Sequence, residues 1–64
     1  MPLSKVDMSV IENEDAQLMA HDLADQQIQE IEGVRLVKGS HEDFGKIIVI
    51  IPISGDSILL RSKA

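Results

Sequence analysis

Ile47-Ile48-Val49-Ile50-Ile51-Pro52-Ile53 is a run without a polar side chain, in a chain of 64 residues that has one phenylalanine and no tyrosine or tryptophan. An unbroken β-branched run of this kind reads as a strand covered on both faces, the pattern of a central position in a sheet. A chain this short has little material with which to cover it. Domains near 60 residues bury only about 60% of the surface their unfolded chains expose. They usually add disulfides, a metal or oligomerisation. There is no cysteine, which removes disulfides and thiolate metal sites. His21 and His41 are separated far beyond any zinc-type spacing. Self-association, or a larger protein partner, is the expected source of the missing buried area.

Upstream of this run the pattern changes twice. Val6, Met8 and Val10 alternate with Asp7 and Ser9, a strand-like period of two. Ser9 and Glu12 also stand at capping-box spacing, which would start a helix at Val10. The reading adopted is a short strand or extended arm over residues 1–12, then a helix over 13–32 capped by Asn13. Glu14 and Asp15 would fall in its first turn, where the helix dipole favours acids. No proline or glycine interrupts residues 14–32. Ala16, Ala20, Leu23, Ala24, Ile28 and Ile31 share one face at 3.6 residues per turn, with Leu18 opposite them. Gly33 stands where a helix C-terminal stop is expected.

Beyond Gly33 the chain reads as strands through residue 62. Val34–Lys38 is short and partly alternating, and residues 39–45 form a glycine-bounded loop. Lys46–Ile51 is the strongest strand, weakened at Pro52, which cannot donate to a ladder. Ser54-Gly55-Asp56-Ser57 is a turn before a last strand, Ile58–Arg61. The expected fold is a single α+β domain spanning residues 1–64. One helix packs on a three- or four-stranded, mainly antiparallel sheet in the order (β)-α-β-β-β. One helix covers one face of such a sheet. The other face keeps Ile48, Ile50, Ile58 and Leu60, and an apolar patch of several hundred square ångströms marks an interaction site or an aggregation hazard. These four residues are the expected self-association surface of a homodimer or higher oligomer.

The stretch Ile28–Ile53 has a recognisable cadence: a helix end, then Glu32-Gly33-Val34-Arg35-Leu36-Val37-Lys38-Gly39, an acidic loop, and Gly45-Lys46-Ile47-Ile48-Val49-Ile50-Ile51. It resembles the α-β-β portion of ferredoxin-like modules, above all the small cytoplasmic chaperones for periplasmic nitrate reductase assembly. That resemblance implies binding of a twin-arginine signal peptide against the sheet. The effector-binding domains of leucine-responsive regulators share a similar cadence, which implies dimerisation and amino-acid sensing.

Charge separates the two halves of the chain. Residues 1–32 carry eight acids and one lysine, a balance of −7, while residues 33–64 carry five bases and three acids, a balance of +2. The bases are few and scattered, so no nucleic-acid partner is expected. The acidic helix face is the expected dock for a basic protein partner, through Asp22, Asp25, Gln29 and Glu32, with Phe44 at a loop tip as a further anchor. The apolar run falls far short of the roughly 20 residues needed to span a bilayer. Met1–Lys5 has neither a basic leader nor an apolar signal core. The chain therefore reads as cytoplasmic, with no membrane partner.

Catalytic chemistry finds no foothold. The six serines have no Gly-x-Ser-x-Gly context, Ser54–Ser57 lacks a P-loop lysine and following helix, and there is no dinucleotide fingerprint. His41-Glu42-Asp43 gathers three polar groups in one loop, but consecutive loop residues rarely converge on one ion. His21 and Asp25, four apart, read as a surface pair on the expected helix. The expectation is a non-enzymatic interaction protein (an adaptor, assembly chaperone or phage-type inhibitor) without a cofactor or metal.

Overall fold

The computed structural model describes residues 6–62, the side chain of Ser62 excepted. The elements run β1 (Val6–Ile11), α1 (Asn13–His21), β2 (Ala24–Ile31), β3 (Val34–His41), β4 (Gly45–Ile51) and β5 (Ser57–Ser62). The strands form one sheet in the order β1-β5-β4-β3-β2, each neighbouring pair antiparallel. The class is α+β with one helix on an antiparallel sheet, as expected, but there are five strands rather than three or four. The readings placed on residues 1–5 and 63–64 lie outside the described residues.

Strands β2 to β5 form a meander, and β1 closes against the far side of β5. Strands β1 and β2 are thus opposite edges, and α1 carries the chain from one to the other. Four interstrand gaps amount to about 19 Å, and a nine-residue helix rises about 13–14 Å. Glu12 on entry and Asp22-Leu23 on exit make up the difference. Strand β4, which holds the apolar run, lies in the middle with two strands on either side.

The helix expected over residues 13–32 ends at His21, and this is the main correction. Its last turn tightens as the Asp22 and Leu23 amides donate to Met19 O and Ala20 O. The Gln26 side-chain amide then donates to His21 O and Leu23 O, each at 3.0 Å, satisfying carbonyls that a continuing helix would have used. Asp25 takes a positive φ of 53° within a bulge between Ala24 and Gln27, after which residues 27–31 pair with β3. Without this pairing, β3 would be an edge strand with unpaired backbone groups. Glu32 and Gly33 have φ of 50° and 86° between the paired residues Ile31 and Val34. Two successive positive φ values mark a type I′ hairpin turn. Gly33 is therefore a hairpin residue, not a helix stop. Asn13 does not serve as the cap either: Glu12 is the N-cap, with no side-chain capping bond.

The core is small and lies between α1 and the centre of the sheet. Ala16, Ala20 and Leu23 meet Val37, Ile47, Val49 and Leu59. Val37, Val49 and Leu59 are direct cross-strand neighbours, so one row of the sheet carries most of this contact. Ala16 and Ala20 lack bulk, which lets the helix lie close to the strands. Leu18, on the opposite side of the helix, is exposed. The shortest dimension of the molecule is 19 Å, about one sheet and one helix layer.

Candidate functional site

Side chains alternate across the sheet, so the register assigns every strand residue to the helix side or to the open side. Ile47, Val49, Ile51, Leu59 and Val37 fall on the helix side. Ile48, Ile50, Ile58 and Leu60, the expected self-association residues, all fall on the open side. Ile48 pairs with Leu60 and Ile50 with Ile58, which makes them one contiguous square at the centre of that face.

The two cross-strand rows through this square show how far the patch extends. One runs Met8, Leu60, Ile48, Lys38, Gln27, and the other Val10, Ile58, Ile50, Leu36, Gln29. The face is apolar from β1 through β4 and turns polar toward β2. Met8 and Val10 are each 66% exposed, while Ile48, Ile50, Ile58 and Leu60 are half-buried by one another. Sequence reasoning did not assign Met8, Val10 or Leu36 to this surface. The period-two alternation of Val6, Met8 and Val10 was the available signal, and a pairing register was needed to place it.

One end of the open face is hollowed. A depression of about 480 Å³ has Ile48, Leu60 and Val6 among its apolar lining, with Lys38 and Lys46 at its rim beside Gln27 and Asp25. Neither lysine is among the ion pairs of the described residues. The opposite end of the strands carries the Glu32-Gly33 turn and the turn containing Asp56.

The expected partner-binding residues do not share a surface. Asp22 follows the helix, Asp25 is in the β2 bulge, Gln29 lies on the open face, and Glu32 is in the β2–β3 turn. The acidic helix face predicted from residues 22–32 is therefore absent, because those residues are not helical. The helix retains Glu14 and Asp15 in its first turn, both exposed. Strand β2 is exposed along its whole length, including Ile28 at 60% on the helix side, where a hollow separates it from Gln17, Ala20 and His21 of α1.

Phe44 closes the end of the helix side that α1 leaves bare. Its ring stacks on His41 with centroids 4.7 Å apart, and the Arg61 guanidinium lies 5.0 Å from its centre. Arg61 Nη2 donates to Asp7 Oδ2 at 2.9 Å. His41 Nδ1 accepts from the backbone N–H groups of Asp43 and Phe44, at 3.0 and 3.3 Å. The His41-Glu42-Asp43 sequence thus shapes a hairpin loop, with one imidazole nitrogen occupied by backbone donors. Among the described residues no three His, Cys, Asp or Glu side chains group as metal ligands would. His21 and Asp25 do not meet as helical neighbours; His21 Nδ1 lies 3.9 Å from Asp22 Oδ1 instead, with both side chains exposed. No helix among the described residues is long and apolar enough to cross a membrane.

Comparison with protein-family models, with curated proteins and with solved structures returns no match for this chain.

Proposed function

We propose that this chain is a non-enzymatic protein-interaction module that self-associates through the open face of its sheet. The carrying observation is the contiguous square of Ile48, Ile50, Ile58 and Leu60, flanked by Met8, Val10 and Leu36, with no described element packed over it. A second copy of the chain is the natural cover, because it brings a face of the same size and polarity. Five strands about 4.8 Å apart and four to five residues of about 3.3 Å give the whole open face, its polar β2 edge included, a footprint of about 320–400 Å². Two such faces bury on the order of 600–800 Å² in total, the scale of a weak, reversible contact. Association leaves the outward side of α1, with Glu14 and Asp15, for a larger and basic protein partner. In this reading the module acts as an adaptor, assembly chaperone or inhibitor in the cytoplasm, without a cofactor. Absolute mass by light scattering after size exclusion, over a tenfold or greater concentration range, tests it. A dimer or higher oligomer is expected, and a folded monomer throughout that range would overturn it.

A second reading is favoured by β2 alone, an edge strand exposed on both of its faces. Such an edge accepts an extended peptide by strand addition, the mode expected of a ferredoxin-like peptide-binding module. Calorimetry with a twin-arginine signal peptide distinguishes it: saturable binding supports this reading, and no heat of binding removes it.

A further inference from the structure

We propose that the hollow at the lysine-bearing end of the open face binds a small amphipathic carboxylate. Its head would be held between Lys38 and Lys46, and its alkyl chain laid over Ile48 and Leu60. The site is built within one chain, so it goes beyond the self-association reading and does not rest on it. Its volume of about 480 Å³ falls within the range of about 300–1,000 Å³ typical of small-ligand pockets. Such pockets combine a largely apolar lining with a few convergent polar groups, and this hollow keeps the two kinds of group at opposite ends.

The register places the charges. Lys38 pairs with Ile48, and Lys46 with Ser40, so both lysines are on the open side as diagonal neighbours, about 7–8 Å apart. Two ammonium groups at that separation repel, and no carboxylate among the described residues lies within ion-pair distance of either. An anion between them removes the repulsion. The other charged groups of the lining are Asp25 and Arg61, and Arg61 is taken up by Asp7 at 2.9 Å. Two lysines against Asp25 leave one positive charge in excess, in a chain whose net charge is −5. Among the paired strand positions of the open side there is no acid, since Asp7 and Glu30 fall on the helix side. An excess of one charge suits a carboxylate rather than a phosphate dianion.

The apolar floor runs from the lysines toward β1. Ile48 is the cross-strand neighbour of both Lys38 and Leu60, and Val6 belongs to the lining on the β1 edge. From β4 to β1 there are two interstrand gaps, about 10 Å in all, the length of an extended chain of about eight carbons. Ile48 and Leu60 are only half-buried, so an alkyl chain lying on them removes further apolar surface from water. Gln27 and Ser40 stand beside the lysines, which leaves the neutral polar groups at the head of the ligand.

Amide chemical-shift titration of the isotope-labelled chain with octanoate tests the site, with mass measured on the same samples. Saturable shifts centred on Lys38, Lys46, Ile48 and Leu60 are expected, with a dissociation constant on the order of millimolar. Hexanoate, two methylenes shorter, should bind about three- to tenfold more weakly. Octyl alcohol, which lacks the charge, should bind about three- to fivefold more weakly than octanoate. Lys38 and Lys46 are exposed, so the double variant Lys38→Gln/Lys46→Gln should stay folded and bind octanoate no better than the alcohol. Equal affinity for octanoate and octyl alcohol, or full octanoate affinity in the double variant, would overturn the carboxylate site. So would shifts centred on Gln17, Ala20 and His21, which line the helix-side hollow, or a response to anionic lipid vesicles with none to octanoate. The mass readout keeps this proposal distinct from self-association. A chain that is monomeric throughout and binds octanoate overturns self-association and leaves the site standing. A dimer should dissociate as octanoate saturates, because Ile48 and Leu60 serve both contacts; a dimer unchanged at saturation would overturn the placement of the alkyl chain.

Discussion

The Ser57 hydroxyl donates to Asn13 Oδ1 at 2.5 Å, tying the first residue of β5 to the first residue of α1 across 44 positions. Ser57 is fully buried, whereas Asn13 is half-exposed. The two ends of this bond therefore differ in what their removal leaves behind. Ser57→Ala leaves an amide oxygen that water can reach, and should cost about 1 kcal/mol. Asn13→Ala leaves a buried hydroxyl without its partner and should cost more, about 1–3 kcal/mol. Urea unfolding at fixed protein concentration checks the order; Ser57→Ala being the more harmful of the two would contradict it.

Glycine substitutions should separate a conformational requirement from a spatial one. Gly33 stands at φ 86°, and a Cβ there would also lie 2.8 Å from Ile53 side-chain atoms. Gly33→Ala paired with Ile53→Ala removes the contact but not the strain, so the double variant should stay destabilised. Gly39 has no positive φ, but an added Cβ would lie 2.8 Å from Ala24 O and 2.9 Å from Leu23 Cβ. Gly39→Ala pushes the helix exit off β3 and should cost about 1–3 kcal/mol. Thermal melts of the three variants would show it; full rescue of Gly33→Ala by Ile53→Ala would contradict the turn assignment.

These glycines also explain how far the sequence could be read. Gly33 at positive φ suits a helix terminus and a type I′ hairpin equally well, so it marked a boundary without naming the element that it closes. Residues 24–31 carry two isoleucines three apart among glutamines, a spacing that fits the helical period and places the pair on opposite faces of a strand. What decided between them is non-local: Ile28 pairs with Val37 and Glu30 with Arg35, and Arg35 Nε donates to Glu30 Oε2 at 3.2 Å. By contrast, the β-branched run needed no partner to be recognised as a central strand. Every second residue of the run then had to face away from the helix, and burial of Ile47 and Val49 assigns Ile48 and Ile50 to the uncovered face. The acidic surface was misplaced because it depended on the one element whose type was settled by tertiary pairing.

Phe44 should behave as a lid on the sheet rather than as a binding anchor. It sits between the His41 ring and the Arg61 guanidinium, and remains 38% exposed. Phe44→Ala removes apolar cover from the Ile47 end of the core as well as the cation–π contact, worth about 0.5–1 kcal/mol at such a site. Phe44→Leu keeps cover without the quadrupole and should fall between Phe44→Ala and the unsubstituted chain. His41→Ala removes the acceptor of the Asp43 and Phe44 amides and should loosen the same loop. Amide hydrogen exchange at residues 42–44, read beside the unfolding midpoint, checks both; unchanged protection in His41→Ala would contradict the role given to its Nδ1.

The two faces of β4 give the sharpest contrast, since neighbouring residues should fail in different ways. Ile47 is 2% exposed and packs in the core, so Ile47→Ala should cost about 2–5 kcal/mol and lower the melting temperature. Ile50, on the open side, is covered only by its sheet neighbours. In an isolated chain, Ile50→Asp sets its carboxylate in water and leaves the helix-side core untouched. In the dimer, the same carboxylate is buried without a partner, which the association cannot offset. Ile50→Asp should therefore yield a folded monomer, with a native-like circular dichroism spectrum and half the dimer mass in light scattering. A dimer that survives Ile50→Asp unchanged would show that the copies meet elsewhere. Unfolding of the isolated chain by that substitution would show that the open face contributes to the core of each copy.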